Sequence, residues 1–371
     1  MIYHVLPESE PLSVIDGGAL AHTVANLVRL DRNRVAVCPD SDNTWSFSTE
    51  KVMVIPAIKL WGTIRARRFL PIPLTGPALR WVFKPMIEKL APGDVVWIHN
   101  RSVFAAALAP VVKSKGARIV LHFHDGLDQR TVRNAFRHFT PDATIFVSEY
   151  LRQMWLQVLP KLRNTYTVHN GADETQFYPR HCDEASPNST PIILFVGRLH
   201  PTKGAHILIE AMTLLAERSV PALCKIIGSS YSGNSRPTTY IQKIMNDRPA
   251  NVEFAGFCPA NQIGKQYRSA DILCCPSIWQ EPFGKVNVEA MGCGLPVVAS
   301  RVGGIPEIAS DGGVVLVDHS SPVQLADALE HLLADPQLRM QVGREGRESF
   351  NKHFTWSAAL KQYDLITENL K

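Results

Sequence analysis

Two glutamates, Glu281 and Glu289, stand eight residues apart in the stretch Glu281-Pro282-Phe283-Gly284-Lys285-Val286-Asn287-Val288-Glu289-Ala290-Met291. The preceding Asp271–Ser277 reads as a buried strand and its exit. Gly284–Gly292 reads as a helix start with an apolar face at Val286, Val288 and Met291. Glu281 is therefore expected on the loop at a strand's carboxyl end, and Glu289 about a turn and a half into the next helix. A helix start offers free N–H groups and the positive end of a dipole. An ionised carboxylate accepts hydrogen bonds from the hydroxyls of a sugar or ribose. The combination suits a nucleotide sugar. For the acid pair alone, the competing reading is an ordinary helix with an acidic first turn.

Three other places carry candidate chemistry. His122, His124 and Asp125 fall at the end of a strand read over Arg118–Phe123. Open parallel sheets bind ligands at such ends, and a histidine beside an aspartate there is a site candidate. Either histidine could serve. Gly17-Gly18 lies between a strand at Ile2–Leu6 and a helix over Ala19–Leu30, whose Leu20, Val24, Leu27 and Val28 repeat at helical spacing. Strand, glycines, helix is one way a backbone approaches a phosphate. The pair does not match G-x-G-x-x-G, so no dinucleotide fingerprint is present. Asp40-Ser41-Asp42 has a metal-like D-x-D spacing, but its polar, turn-rich surroundings read as a solvated loop.

The elements that must position these residues alternate strand and helix. In the first half, strands are expected at Val35–Cys38, Lys51–Ile55, Asp94–His99, Ala143–Ser148 and Thr165–His169. Helices are expected at Leu79–Leu90, ended or kinked by Pro85, at Val103–Lys113, and from Ser148 to Leu159. Composition shifts between Tyr178 and Pro191 to Pro, Ser, Asp and Asn, which marks a linker. The alternation then restarts. Ile192–Val196, Leu223–Ile227, Val252–Phe254, Pro296–Ser300 and Val314–Val317 read as strands, and helices close the chain at Pro322–Ala334, Pro336–Phe350 and Trp356–Leu370. The pattern predicts two doubly wound parallel-sheet domains.

Bulk properties agree. The 371 residues exceed one ordinary core, and 45% apolar content suits a well-buried globular chain. Apolar runs such as Ala105–Val112 are too short to span a bilayer, and the first residues do not read as a signal peptide. Seven cysteines without a C-x-x-C pair suggest reduced, structural thiols in the cytoplasm. The net charge of +5 lies wholly in residues 1–190, which hold 22 Lys and Arg against 17 Asp and Glu. Lys59, Trp61, Arg65, Arg67, Arg68 and Phe69 form a basic, aromatic stretch. It is expected either to be a solvated face or to contact anionic lipid or an acidic acceptor. The charge is modest and no stacking motif accompanies it, so nucleic acid is not an expected partner.

Taken together, the landmarks resemble the retaining glycosyltransferase family 4, the group 1 glycosyltransferases. The resemblance runs through Val168-His169-Asn170-Gly171-Ala172-Asp173 with Phe177-Tyr178-Pro179, and through Gly197-Arg198-Leu199 with Lys203-Gly204. It continues through Ala270-Asp271-Ile272, the E-x7-E region Glu281 to Glu289, Gly294–Ser300 and Gly303-Gly304-Ile305-Pro306-Glu307. Gly17-Gly18 resembles the family's amino-terminal glycine loop but lacks the acidic residue often found just after it.

The resemblance implies the α/β GT-B fold, two Rossmann-like domains facing a cleft. Residues 1–180 would form an acceptor-binding domain, 181–191 a linker, 192–352 a nucleotide-sugar domain, and 353–371 a helix crossing back to the first domain. It implies that Arg198, a bidentate fork, and Lys203, a point charge, neutralise the leaving diphosphate. Gly17, Gly18 and the amides around Phe283, Gly284 and Lys285 would complete the cradle. Glu289 would hold the ribose hydroxyls, Glu281 the donor-sugar hydroxyls, and His124 the transferred sugar. No carboxylate nucleophile is identified; the resemblance implies front-face attack, with the diphosphate taking the acceptor's proton. Cofactors and metals are expected to be absent. The expected substrates are a nucleotide-diphosphate sugar, with UDP favoured, and a glycan or lipid-linked acceptor for lipopolysaccharide, capsule or other surface polysaccharide. The expected location is the cytoplasm, with peripheral visits to the inner face of the membrane through the basic first domain. An epimerase or hydrolase of the same fold, and a non-catalytic nucleotide-sugar-binding subunit, are the alternatives.

Overall fold

The structure is a computed structural model and describes residues 1–13, 18–41, 47, 48, 50–59, 72–180, 190–230 and 237–370. Gly17, Asp42, the basic and aromatic residues from Trp61 to Phe69 and most of the expected linker (181–189) lie outside the described residues. The chain divides into two compact units, one of Met1–Asn170 with Trp356–Lys371 and one of Gly171–Thr355. The change of unit thus falls at Gly171, ahead of the polar stretch after Tyr178.

The first unit is built on a parallel sheet in the order β3-β2-β1-β4-β5-β6-β7. Its strands are β1 (Ile2–Val5), β2 (Arg34–Cys38), β3 (Val52–Val54), β4 (Val95–His99), β5 (Arg118–Phe123), β6 (Ala143–Phe146) and β7 (Thr165–Thr167). Val, Ile and Phe fill the central strands, as expected where both faces are covered. The order reverses between β1 and β4, and the carboxyl ends flanking such a switch are where open α/β sheets hold ligands. His99 and His122 are register partners at the ends of β4 and β5. The last helix, Trp356–Glu368, returns to this unit: Trp356, Ala359, Tyr363 and Ile366 pack with Trp97, Val120 and Ile145.

The second unit repeats the design with the parallel order β10-β9-β8-β11-β12-β13. Its strands are β8 (Ile192–Val196), β9 (Leu223–Ile227), β10 (Val252–Gly256), β11 (Ile272–Cys275), β12 (Val297–Ser300) and β13 (Val314–Val317). The switch falls between β8 and β11, the two strands whose exit loops carry Arg198, Lys203 and Glu281. Helices Ala205–Glu217 and Pro322–Ala334 cover the sheet with Leu208, Met212, Leu325 and Leu329.

Three local expectations are corrected. Leu79–Leu90 is not one helix: Ile72–Val82 ends near Phe83 and a short helix Lys84–Ile87 begins, with Pro85 in its first turn. A proline's missing N–H costs nothing in that place, so Pro85 starts a helix here. The helix Lys285–Gly292 does not bury Val286; Asn287, Val288, Ala290 and Met291 face inward instead. Its first turn is also not acidic, since Glu289 lies beyond it. In the first unit, Trp155 on helix Glu149–Val158 is fully buried and stacks on Phe123 of β5 with ring centroids 4.9 Å apart. Trp155→Ala should cost about 4 kcal/mol in urea unfolding, from lost transfer energy and the cavity left behind. A loss under about 1 kcal/mol would contradict this account of the core.

Candidate active site

Loops after β8, β11 and β12 are tied into one surface in the second unit. Ile278 donates its N–H to the Thr202 carbonyl (2.9 Å), and Gly304 donates to the Glu281 carbonyl (2.8 Å). Gly303 donates to Gln280 Oε1 (2.8 Å). Two glycines permit this closeness. A Cβ on Gly204, at φ +74°, would lie 1.8 Å from the Pro276 carbonyl oxygen; one on Gly303, at φ +55°, would lie 2.0 Å from that of Glu281. Only a residue without a side chain meets both the left-handed backbone and the clearance.

Lys203 and Glu281 form the centre of this surface. Lys203 Nζ lies 2.5 Å from Glu281 Oε1, and the same oxygen accepts from Ser277 Oγ at 2.7 Å. The lysine ammonium also stands 5.0 Å from the centre of the Trp279 ring, within reach of a cation–π attraction. Glu281 is buried and Lys203 only partly, so the carboxylate is anchored and the cation reaches toward solvent. An ammonium has three donors; one engages Glu281 and the rest can meet an anion. Arg198 is exposed on the same exit loop, and its side chain makes no hydrogen bond to a described residue.

Glu289 sits on the Lys285–Gly292 helix and accepts a hydrogen bond from Tyr267 Oη at 2.8 Å. Burial raises its carboxyl above the usual range, and the Lys285 charge and the Tyr267 hydrogen bond oppose that rise. Burial lowers Lys285, with Glu289 opposing. Gly284 begins this helix at φ +99°. Phe283 is buried, with its ring 6.2 Å from that of Phe354, so its side chain is a packing anchor and its backbone is what it can offer a ligand. Tyr267, Ser277 and Trp279 complete the constellation. Sequence reasoning missed them because their roles depend on contacts between separate loops. The nearest signal was a serine at the strand exit, four residues before Glu281.

In the first unit, Gly18 heads the helix Ala19–Leu30, but its N–H donates to Glu10 Oε2 at 3.1 Å. An internal carboxylate therefore already satisfies the amide expected to face a phosphate, and burial raises the Glu10 carboxyl despite that bond. His122 is fully buried, and neither ring nitrogen has a hydrogen-bond partner among the described residues. His124 is half-buried; its backbone N–H donates to Asn100 Oδ1 at 2.7 Å, and its Nε2 pairs with His99 Nδ1 at 2.9 Å. Asn100 also reaches Asp125, whose carboxyl burial pushes up and Arg101 pulls down. One ring nitrogen from each of His99, His122 and His124 lies within 4.8 Å of the other two. Asp40 pairs with exposed Lys59 at 3.1 Å, as a solvated loop residue would.

Comparison with known proteins places this architecture. The model for glycosyltransferase family 4 matches residues 19–176, and that for glycosyl transferases group 1 matches 181–349. The chain belongs to this family, the group 1 glycosyltransferases. Among relatives, it is 31% identical to spore coat protein SA of Bacillus subtilis over 57% of this chain and 61% of that protein. It is 32% identical to the alpha-maltose-1-phosphate synthase of Mycolicibacterium smegmatis over 60% of this chain and 61% of that one. The match thus spans less than two thirds of either relative. In fold, it is similar to Anabaena HepE, solved with UDP and glucose, at TM-score 0.76 and 19% identity over 99% of both chains. It also resembles the sucrose-phosphate synthase of Thermosynechococcus elongatus, at TM-score 0.77 and 20% identity over 100% of this chain and 98% of that one. Both confirm two parallel-sheet α/β domains. No helix among the described residues is long and apolar enough to cross a membrane.

Glu289 yields a test of this geometry. A carboxyl raised by folding contributes most to stability below its unfolded value, near ~4.3, and loses that contribution as pH rises through the folded one. Tyr267→Phe removes a bond that favours the ionised form. Its effect should be a further upward move of the Glu289 titration, followed by carbon-13 NMR of labelled carboxyls. An unchanged or lowered midpoint would show that the Tyr267 hydroxyl does not stabilise the carboxylate.

Proposed function

We propose that the chain transfers a hexosyl or N-acetylhexosaminyl group from a nucleotide-diphosphate sugar, with UDP favoured, to a glycan or lipid-linked acceptor. Retention of configuration, independence from metals and a role in lipopolysaccharide, capsule or other surface polysaccharide belong to this reading. The observation that carries it is the Lys203–Glu281 pair at the switch point of the second sheet. HepE, which shares the fold, binds UDP and glucose, and this favours a UDP-sugar donor here.

Each residue then has a task set by its chemistry. Lys203, held by Glu281 and Ser277, presents spare donors to the diphosphate, and Arg198 adds a planar fork. Glu289 accepts from the ribose hydroxyls while Tyr267 fixes its orientation. Glu281 serves the donor sugar with the oxygen not bound to Lys203. His124 contacts the transferred sugar. As the anomeric carbon–oxygen bond breaks, the electron pair passes to the diphosphate, whose growing charge Lys203 and Arg198 offset. The acceptor oxygen bonds to the anomeric carbon on the same face, and its proton goes to a diphosphate oxygen.

Lys203→Ala should therefore lose roughly a hundredfold in kcat, on the order of 3 kcal/mol. Rates are read by product analysis with UDP-sugars, with and without a lipid-linked acceptor. A near-normal rate in the variant contradicts the role of Lys203. Donor consumption that is indifferent to acceptor contradicts transfer.

A further inference from the structure

A chain of hydrogen bonds runs through the interior of the first unit and ends at His124. Arg34, on β2, is fully buried. Its Nη2 lies 2.6 Å from Asp364 Oδ1 on the last helix, its Nε 3.1 Å from Asp31 Oδ2, and its Nη1 3.0 Å from His4 Nε2. His4 Nδ1 is 3.0 Å from His99 Nε2, and His99 Nδ1 is 2.9 Å from His124 Nε2. Trp97 supports the chain, with the His4 ring stacked on it at 5.4 Å and the Arg34 guanidinium 5.6 Å from its centre.

Proton positions along this chain follow from one end. A guanidinium is always charged and can only donate. His4 Nε2 must accept from it. Burial, then the Arg34 charge, holds His4 well below the ordinary histidine range, and burial with the neighbouring imidazoles does the same to His99. Each is neutral and carries one ring proton. That of His4 lies on Nδ1 and donates to His99 Nε2. That of His99 lies on Nδ1 and donates to His124 Nε2. The opposite polarity would bring a His4 Nε2–H against an Arg34 N–H, two buried donors 3.0 Å apart with no acceptor between them.

We propose that Arg34, His4 and His99 are positioning residues that lock His124 as the neutral tautomer with its proton on Nδ1 and its Nε2 an acceptor. On the reading that His124 contacts the transferred sugar, it serves as a hydrogen-bond donor through Nδ1 and cannot deliver a proton from Nε2. The nearby histidines could instead suggest a cation site, but a cation seated between His99 Nδ1 and His124 Nε2 would need lone pairs on both. Those two nitrogens share one proton.

Long-range proton–nitrogen correlation spectra of the full chain labelled with nitrogen-15 histidine, at neutral pH, test this. The His124 signal is assigned by its loss in His124→Asn. The expected spectrum has His124 Nε2 in the unprotonated range and Nδ1 in the protonated range. A proton on Nε2, or a fast mixture of tautomers, overturns the proposal. His4→Phe keeps a flat ring over Trp97 and breaks the chain, so His124 should become a mixture; a pure Nδ1–H form in this variant also overturns it. If His4→Phe does not fold, the wild-type spectrum decides alone. Loss of the His99–His124 hydrogen bond on adding one equivalent of zinc overturns it in favour of a cation site. Donor binding is followed separately by thermal shift with UDP-sugars. A locked tautomer without donor binding refutes the functional reading and leaves the chain of hydrogen bonds intact, and the reverse result refutes only the lock.

Discussion

A buried carboxylate must be neutralised or hydrogen-bonded, and Glu281 is the residue on which this constraint organises the second unit. One of its oxygens takes both the Lys203 ammonium and the Ser277 hydroxyl. Its main-chain carbonyl takes the Gly304 N–H, and its backbone lies against Gly303. Through one residue, the loops leaving β8, β11 and β12 are held in fixed relation. Removing one partner of a buried pair typically costs about 3–5 kcal/mol because the other charge is left unpaired. Here the pair is only partly covered on the lysine side, so the cost is expected to be lower. The same partial exposure lets the lysine engage a second anion without giving up the first.

The first unit solves a related problem with Arg34. A guanidinium with no solvent exposure is held by Asp31 and Asp364 and supported by Trp97. Asp364 lies on the helix Trp356–Glu368, so the pair also ties the end of the chain to β2. The Met1 ammonium, 2.6 Å from Asp94, ties the beginning of the chain to the residue before β4. Arg34, Met1 and Asp94 all stand at or just before the amino ends of their strands, β2, β1 and β4. Only the histidine branch of the Arg34 network, through His4, His99 and His124, reaches the carboxyl ends, where a doubly wound sheet leaves room for a ligand.

Much of this was legible in the sequence. Continuous apolar strands and helical spacing located Ala19–Leu30, Leu223–Ile227 and Val314–Val317 at their observed bounds, because those segments carry unambiguous periodicity. Glu281 and Glu289 stood out because a strand exit and a helix start bracket them. Pro85 misled because its effect depends on position within a turn, and a local pattern does not fix where the turn begins. Val286 misled because helix phase is set by Gly284 and by packing against neighbouring elements. Tyr267, Trp279, Arg34, His4 and His99 were silent: each acts through a partner far away in the chain, and single-residue chemistry cannot reveal the pairing. For Gly18 the sequence suggests an anion site at a glycine before a helix and does not show that Glu10 accepts from the same N–H.

The central claim is that the switch-point loops of the second unit hold a nucleoside diphosphate. Hydrogen–deuterium exchange of the full chain, with and without saturating UDP, tests it most directly. The account predicts slowed exchange in residues 197–204, 276–289 and 301–304, with the edge strand β10 unchanged. UDP binding with protection confined to other segments, or with none in 197–204 and 276–289, would contradict it.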